Sequence, residues 1–505
     1  MPISPLAPGA FRSTNAARLL TETRSTLDDL QRQLATGKKS ESYGGLGALR
    51  FTSLDFRSKA SEVKSFQSTI TQVNIRIRQL DLGLTRLSKI SEDVRSSALL
   101  PQFDPDSSGK TSVQKFIRPQ FDEAIDILNT EVNGIRLYSG RSSDVRPVLD
   151  ANTILSGDAA GRAGVRQFIL ERKAADFGTA PDEGRVVKGG GGASATLTED
   201  GVHPFGFKLT AASSTTANIT AALTAGPPAN INFNVTANPV EGDKVRFELT
   251  LPDNTKQVVE LTARTGPLTP AGNAGEFEIG AGTAATGANL RLAIAAALAR
   301  ESTVALPAAS AKVAADAFFA GSINNPPLRV SGPPATATAL VAGTAANTVI
   351  WYQGDDQSLS ARATATARID NNISVGVGVQ ANEEGIRRVL ANLAVFLNES
   401  FTNTPTDQGR HQAISDRLRV DLGQTSGVQR VQTILIEIAN AGASLKSAED
   451  RHRTKLNFVE TVIADVEDSN QEETAARLLS LQTKLQAAYQ TTAIISRLNL
   501  TDYLR

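Results

Sequence analysis

Apolar residues recur along both ends of this chain at alternating steps of three and four, and lose that rhythm in the middle. Leu20, Thr23, Leu27, Leu30 and Leu34 keep one seam along a helix. Gly37 follows as a C-terminal cap, and residues 40–47 form a turn-rich connector. Phe66, Ile70, Val73, Ile77, Leu80, Leu84 and Leu87 make a longer seam, with Val94 in phase. That pattern predicts a coiled-coil or bundle helix. A third helix is expected over residues 113–132, open to interruption at Pro119. The Asn133-Gly134 turn then leads into a short strand at 135–138.

From about residue 150 the period changes. Val245, Phe247, Leu249 and Leu251 alternate with Arg246, Glu248 and Thr250. Pro252-Asp253-Asn254-Thr255 supplies a turn, and 257–261 returns as a strand, which predicts a β-hairpin. Residues 290–300 and 310–319 read as short Ala-rich helices, and Gly189 to Gly192 as a linker. Helical spacing returns from Asn382. It runs through Ile386, Val389, Leu390, Leu393 and Phe396, then Val431, Leu435, Ile438 and Leu445. His452, Leu456, Val459, Ile463 and Val466 follow, and finally Leu478, Leu481, Leu485, Ala488, Thr492 and Ile495.

Composition narrows the classes. Lys plus Arg number 52 and Asp plus Glu 52, so the formal net charge is zero, and no basic excess points to nucleic acid. No apolar run approaches the length of a membrane span in this reading. Residues 1–12 lack the basic start and apolar core of a cleaved secretion signal. Cysteine is absent, which excludes disulfides, thiol catalysis and Cys-ligated metals. Candidate chemistry is sparse. His203, His411 and His452 lie in separate segments and no His-Glu-x-x-His occurs. His452 sits on a helix seam and reads as a packing residue. Asp355 and Asp356 read as solvated charges in a turn, because adjacent side chains point apart. The glycine run lacks the Lys-Ser/Thr of a phosphate loop. These readings predict no enzyme, no cofactor and no metal site.

Several segments carry a resemblance when taken in order. Residues 26–38, TLDDLQRQLATGK, run from a Leu-rich helix into a Thr-Gly-Lys turn. Residues 128–140, LNTEVNGIRLYSG, precede Pro147. After the middle come WYQGDD at 351–356, ARID at 367–370 and VQANEEG at 379–385. VEDSN at 466–470 precedes the last helix, with its Gln-x-x-Leu-Gln-Ala-Ala-Tyr and a closing Leu-x-Leu-x-x-Tyr-Leu. Together they resemble the bacterial flagellin family, most closely its hook–filament junction branch. The likeness covers about residues 13–150 and 350–505. Residues 40–49 lack the family's usual Asp-Asp/Asn-Pro/Ala element, and Arg505 follows its usual terminal Leu.

The expected fold is mostly α with a β-containing insert, the N- and C-terminal helices pairing in a coiled-coil bundle. The expected layout is an assembly helix and connector at 1–60, and half of a helical bundle at 61–150. An inserted, surface-exposed β-rich region follows at 151–365, the other half of the bundle at 366–470, and a second assembly helix at 471–505. The terminal seams are expected to lack a partner within one subunit and to gain one from neighbouring subunits. Leu20, Leu27, Leu30, Leu34, Leu478, Leu481, Leu485, Ile495, Leu498 and Leu500 are the expected assembly interface. The resemblance implies a structural flagellar subunit at the hook–filament junction, or alternatively the filament flagellin. It implies export without a cleaved signal, an extracellular location, self-association, contact with neighbouring hook-associated proteins and flagellin, and an export chaperone. A surface adhesin or fibre protein is the more distant reading.

Overall fold

The computed structural model describes residues 8–99, 102–357, 359–423 and 427–497, with side chains from 17 to 494. In chain order, α1 (Pro8–Thr36) and a 3₁₀ segment (Tyr43–Leu49) precede α2 (Arg50–Ser97), α3 (Ser112–Leu128), β1 (Glu131–Val132) and β2 (Ile135–Arg136). Next come α4 (Ala151–Ser156), α5 (Val165–Phe177), β3 (Val186–Gly189), β4 (Ser194–Glu199), β5 (Lys208–Ser214), β6 (Ile219–Thr224) and β7 (Asn230–Val235). β8 (Lys244–Thr250), β9 (Lys256–Arg264), β10 (Glu276–Glu278), α6 (Thr283–Thr303) and α7 (Ala305–Ala320) follow. The chain continues through β11 (Leu328–Val330), β12 (Leu340–Ala342), α8 (Ala361–Thr364), β13 (Thr366–Asp370) and β14 (Ile373–Gly376). It closes with α9 (Glu384–Asn398), α10 (Pro405–Asp421), α11 (Val431–Glu467) and α12 (Gln471–Arg497). The fold is therefore mixed α and β. Contacts divide it into two compact units: residues 1–72, 368–373 and 444–505, and residues 73–367 and 374–443.

The second unit holds a two-sheet domain. One sheet runs β3-β4-β7-β6 and the other β10-β9-β8-β5. The expected hairpin is β8 with β9, in register Val245↔Leu261 to Thr250↔Lys256. Alternation puts Val245, Phe247 and Leu249 inside with Leu197, Ile231 and Phe233. Phe233 and Phe247 meet at 6.3 Å between centroids. Helix α6 closes the same core with Leu290, Ile294, Ala297 and Leu298. Small Ala side chains let this helix approach the strands closely.

The rest of the second unit is helical. Helix α7 packs on α5, α9 and α10. Phe318 stacks edge-on against Phe168 and Phe319, and Phe319 against Trp351. The Trp351 indole N–H donates to the Phe319 carbonyl at 3.0 Å, so the ring is buried without leaving a polar group unmet. Thus the range 151–365 contains both a two-sheet core and a helix, α7, that belongs to the aromatic core around α5 and α9. On α2, Val73, Ile77, Leu80, Leu84, Leu87 and Val94 are all buried, as their spacing predicts.

Several expectations are corrected. Helix α3 is continuous and passes through Pro119. A capping box of Thr111 and Gln114 starts it. The four glycines are no linker: Gly189 pairs with Thr196, and the others turn β3 into β4. Gly190 has φ +103°, and a Cβ there would lie 2.4 Å from the Ser194 carbonyl, so the turn demands glycine. Asp355 is not solvated. It is 6% exposed, and its backbone carbonyl accepts from the Tyr352 hydroxyl at 3.0 Å. Asp356 instead accepts from the Asn324 amide at 2.8 Å. Residues 283–320 reach the length and apolarity of a membrane span by composition, contrary to the sequence reading. That stretch breaks at Val304 (φ −111°, ψ −72°), between two helices that pack inside the unit. Helix α10 went unforeseen, although Thr404 caps it and Pro405 opens it.

His411 on α10 is 6% exposed and ringed by Phe103, Phe396 and Phe401, with centroids 5.3–5.8 Å away. Burial lowers its pKa, and Asp104 opposes that only in part. Asp407, one turn earlier, and the adjacent Arg410 are paired with each other at 2.9 Å. The neutral imidazole is the folded form. Stability is therefore complete above the unfolded value of about 6.5 and declines as pH falls below it. Thermal unfolding from pH 7 to 5 should show this decline in the native protein and less of it in His411→Leu. Equal slopes in the two proteins would refute the assignment.

Candidate functional site

The first unit is built where the chain's two ends meet. The Thr-Gly-Lys turn after α1 lies against the turn between α11 and α12. The Lys39 amide donates to the Glu467 carbonyl at 2.8 Å, and the Ser469 amide to the Gly37 carbonyl at 2.9 Å. Gly37 makes this possible with φ +69°. Lys39 Nζ reaches the Asp465 and Val466 carbonyls at 2.5 and 3.2 Å, a cation placed on the free carbonyls of a helix C-terminus. Lys38 pairs with Asp468 and lies 3.8 Å from Glu467.

Glu467 is the centre of this junction. Its side chain is 8% exposed. It accepts from Ser53 Oγ at 2.7 Å and from Arg57 Nε and Nη2 at 2.7 and 2.6 Å. The Arg57 fork, opposed by burial and helped by Ser53, holds the carboxyl down at about 2 against an ordinary 4.5. The same pair raises the Arg57 guanidinium further. A bidentate Arg–carboxylate contact of this kind fixes orientation as well as charge.

From this clamp α2 and α11 run antiparallel within the unit. Phe56 meets Phe458 edge-on at 6.3 Å. Lys64 pairs with Glu460 at 2.9 Å. Phe66 stacks on His452 at 5.4 Å. His452 is 2% exposed, and its Nε2–H donates to the Ile369 carbonyl at 2.7 Å, so it is a packed histidine, as its seam position predicts.

Helix α1 packs along α12. Arg24 sits over the Tyr489 ring at 5.7 Å, which with the turn contacts makes the pair antiparallel. Leu20, Leu27 and Leu30 are half-buried, and Leu34 is 37% exposed. Leu478 and Leu485 are buried and Leu481 half-buried. The side chain of Ile495, and Leu498 and Leu500 altogether, lie outside the described residues. The expectation that both seams lack a partner within one subunit is thereby corrected. Two helices that leave one clamp side by side cover each other's apolar stripe. Leu19, Leu479 and Ile494 point outward, 63%, 63% and 62% exposed.

Sequence reasoning quoted both turns but did not foresee Ser53, Arg57 or the role of Glu467. One signal was available. Glu467 ends α11, where the helix dipole disfavours an acid, so a compensating cation was to be expected. Among the described residues no group of three or more His, Asp or Glu stands close enough to hold a metal ion. No family model matches the sequence, and no curated protein is significantly similar to it.

Because the folded Glu467 pKa lies below its ordinary value, the stabilisation is complete above about pH 4.5 and is lost as pH falls toward about 2. Its magnitude is on the order of 2–3 kcal/mol. Glu467→Gln should speed hydrogen exchange of the Lys39 and Ser469 amides at pH 7 by roughly tenfold or more. Unchanged exchange at these two amides would show that the carboxylate does not hold the turns together.

Proposed function

We propose that the chain is a structural, non-enzymatic subunit of the bacterial flagellum, acting at the hook–filament junction. The observation that carries the reading is the clamp at Glu467. It joins two motifs, Thr-Gly-Lys and Val-Glu-Asp-Ser-Asn, whose Lys38 and Asp468 are 430 positions apart. These are two of the segments on which the flagellin resemblance rests. A chain whose ends are tied together can present both terminal helices to neighbours as one element.

The outward Leu19, Leu479 and Ile494 support this, since apolar side chains on one exposed helix pair gain by burial against other subunits. In the assembled state the terminal helices would form a coiled-coil bundle contributed by several copies. Neighbouring hook-associated proteins and flagellin are the partners this implies, with an export chaperone before assembly. The location would be extracellular.

The test is electron microscopy of the purified protein mixed with hook fragments. The proposal expects it to bind at hook tips without growing long filaments. Filaments formed by the protein alone would favour filament flagellin instead. Neither structure at assembly concentrations, with folded protein, would refute both readings. Leu481→Asp places a charge on the half-buried seam of α12 and should abolish hook binding.

A further inference from the structure

The outer face of the sheet β3-β4-β7-β6 is polar and carries no charge. Strand β7 lies inside this sheet, between β4 and β6. Its alternate positions Ile231, Phe233 and Val235 point into the core, which turns Asn230, Asn232 and Asn234 outward. Asparagine is depleted in strands, because its side chain competes for backbone hydrogen bonds. Three in alternation on a central strand therefore call for a reason. Register places each of them between short side chains. Ser194, Thr196 and Thr198 of β4 lie opposite on one side, and Thr220, Ala222 and Thr224 of β6 on the other. Asn232 and the three β6 residues are exposed, and the other five positions are half-buried.

The lack of charge extends beyond the strands. No Lys, Arg, Asp or Glu occurs between Lys208 and Glu241, in a chain of which 21% is charged. Part of the hydrogen-bonding capacity is used within the face. Asn230 Nδ2 donates to Thr198 Oγ1 at 2.5 Å, and Ser194 Oγ to Asn232 Oδ1 at 2.8 Å, which orients two of the amides. The remainder is open. Among the described residues, Asn232 Nδ2, the Asn234 side-chain amide and the Thr196 and Thr224 hydroxyls have no protein partner. These donors and acceptors repeat about every 6.7 Å along a strand and about 4.8 Å between strands.

We propose that the asparagine face of β4, β7 and β6 binds an uncharged glycan. Charge complementarity selects the occupant. A nucleic acid or an acidic polymer needs Lys or Arg, and a basic partner needs carboxylates; the face offers neither. A protein partner is disfavoured because interface cores are built on aromatic side chains, Met and Arg, and none occurs at the nine outward positions. A sugar hydroxyl both donates and accepts, as an asparagine amide does in one plane. A neutral, hydroxyl-rich chain laid across the face can therefore meet each open group without removing a charge from water. With no aromatic ring to stack on a sugar, single contacts are weak, and binding depends on several faces engaging one glycan together. The inference is independent of the reading of the chain's ends.

The test is a glycan array carrying neutral and anionic sugars, probed with the full chain tetramerised on streptavidin through a biotin tag. The proposal expects binding to neutral glycans that is unchanged between 0.1 and about 0.5 M salt, since no ion pair is involved. The double variant Asn232→Ala/Asn234→Ala removes two open amides and should lower the signal roughly tenfold or more. Ala222→Arg leaves the amides in place but covers Asn232 from an exposed edge position, and should block binding without disturbing the core. Circular dichroism of both variants checks that the fold is kept. Binding to no glycan, binding confined to anionic glycans, or full binding by a folded Ala222→Arg would each overturn the proposal. So would a dimer in sedimentation velocity that Ala222→Arg abolishes, which would assign the face to a second copy of the chain.

Discussion

A carboxylate withdrawn from water must find compensation at once, or its burial costs more than a small fold contributes. Glu467 meets that demand with a serine hydroxyl and both arms of an arginine fork. The consequence is geometric. Ser53 and Arg57 lie in the first turns of α2, and Glu467 in the last turn of α11, so satisfying one charge fixes the register of two long helices in the first unit. The backbone bonds of Gly37, Lys39 and Ser469 then place α1 and α12 beside each other. The apolar seams alone would tolerate a slip by one heptad; the buried charge does not. This is the role in which a buried polar group is best attested, as a device for register.

The second unit meets the same demand with different means. Arg185, at φ +62°, donates to the Ala175 and Ala337 carbonyls at 2.8 Å each and to Asp200 at 3.1 Å. Asp176 accepts from Arg172 at 2.7 Å and from the Gly206 amide at 3.0 Å. Its burial still raises its pKa. These groups knit α5 to the entry of the two-sheet domain. The chain thus uses apolar stripes to make elements and buried polar groups to decide how elements meet.

That division explains what the sequence disclosed. Seams such as Ile77–Leu80–Leu84–Leu87 and the alternation of Val245, Phe247 and Leu249 were legible, because each reports burial along one element. Helix α10 was not. Its buried face consists of Asp407, His411, Ile414, Ser415 and Leu418, so polar residues fill positions that periodicity expects to be apolar. The glycine run misled for a related reason. Flexibility and a tight turn ask for the same residue, and only the pairing of Gly189 with Thr196 separates them. Most of the candidate site was invisible for want of long-range information: nothing local says that Arg57 belongs with Glu467.

On the proposed reading, the pairing of α1 with α12 changes the physics of assembly from that expected of partnerless tails. If both stripes were free, polymerisation would have to order two helices and bury them in one step, at a large entropic cost. With the helices already side by side and anchored at Glu467, much of that cost falls within the subunit. What would remain for a neighbour are the outward side chains of Leu19, Leu479 and Ile494. At about 1.5–3 kcal/mol for each apolar side chain fully buried, three such residues would give, in the proposed assembly, a contact that is weak alone and adequate when repeated around a ring. On the proposed reading, a subunit held this way would stay monomeric until a template presented several matching faces at once, which would suit a protein positioned at one place on a larger structure.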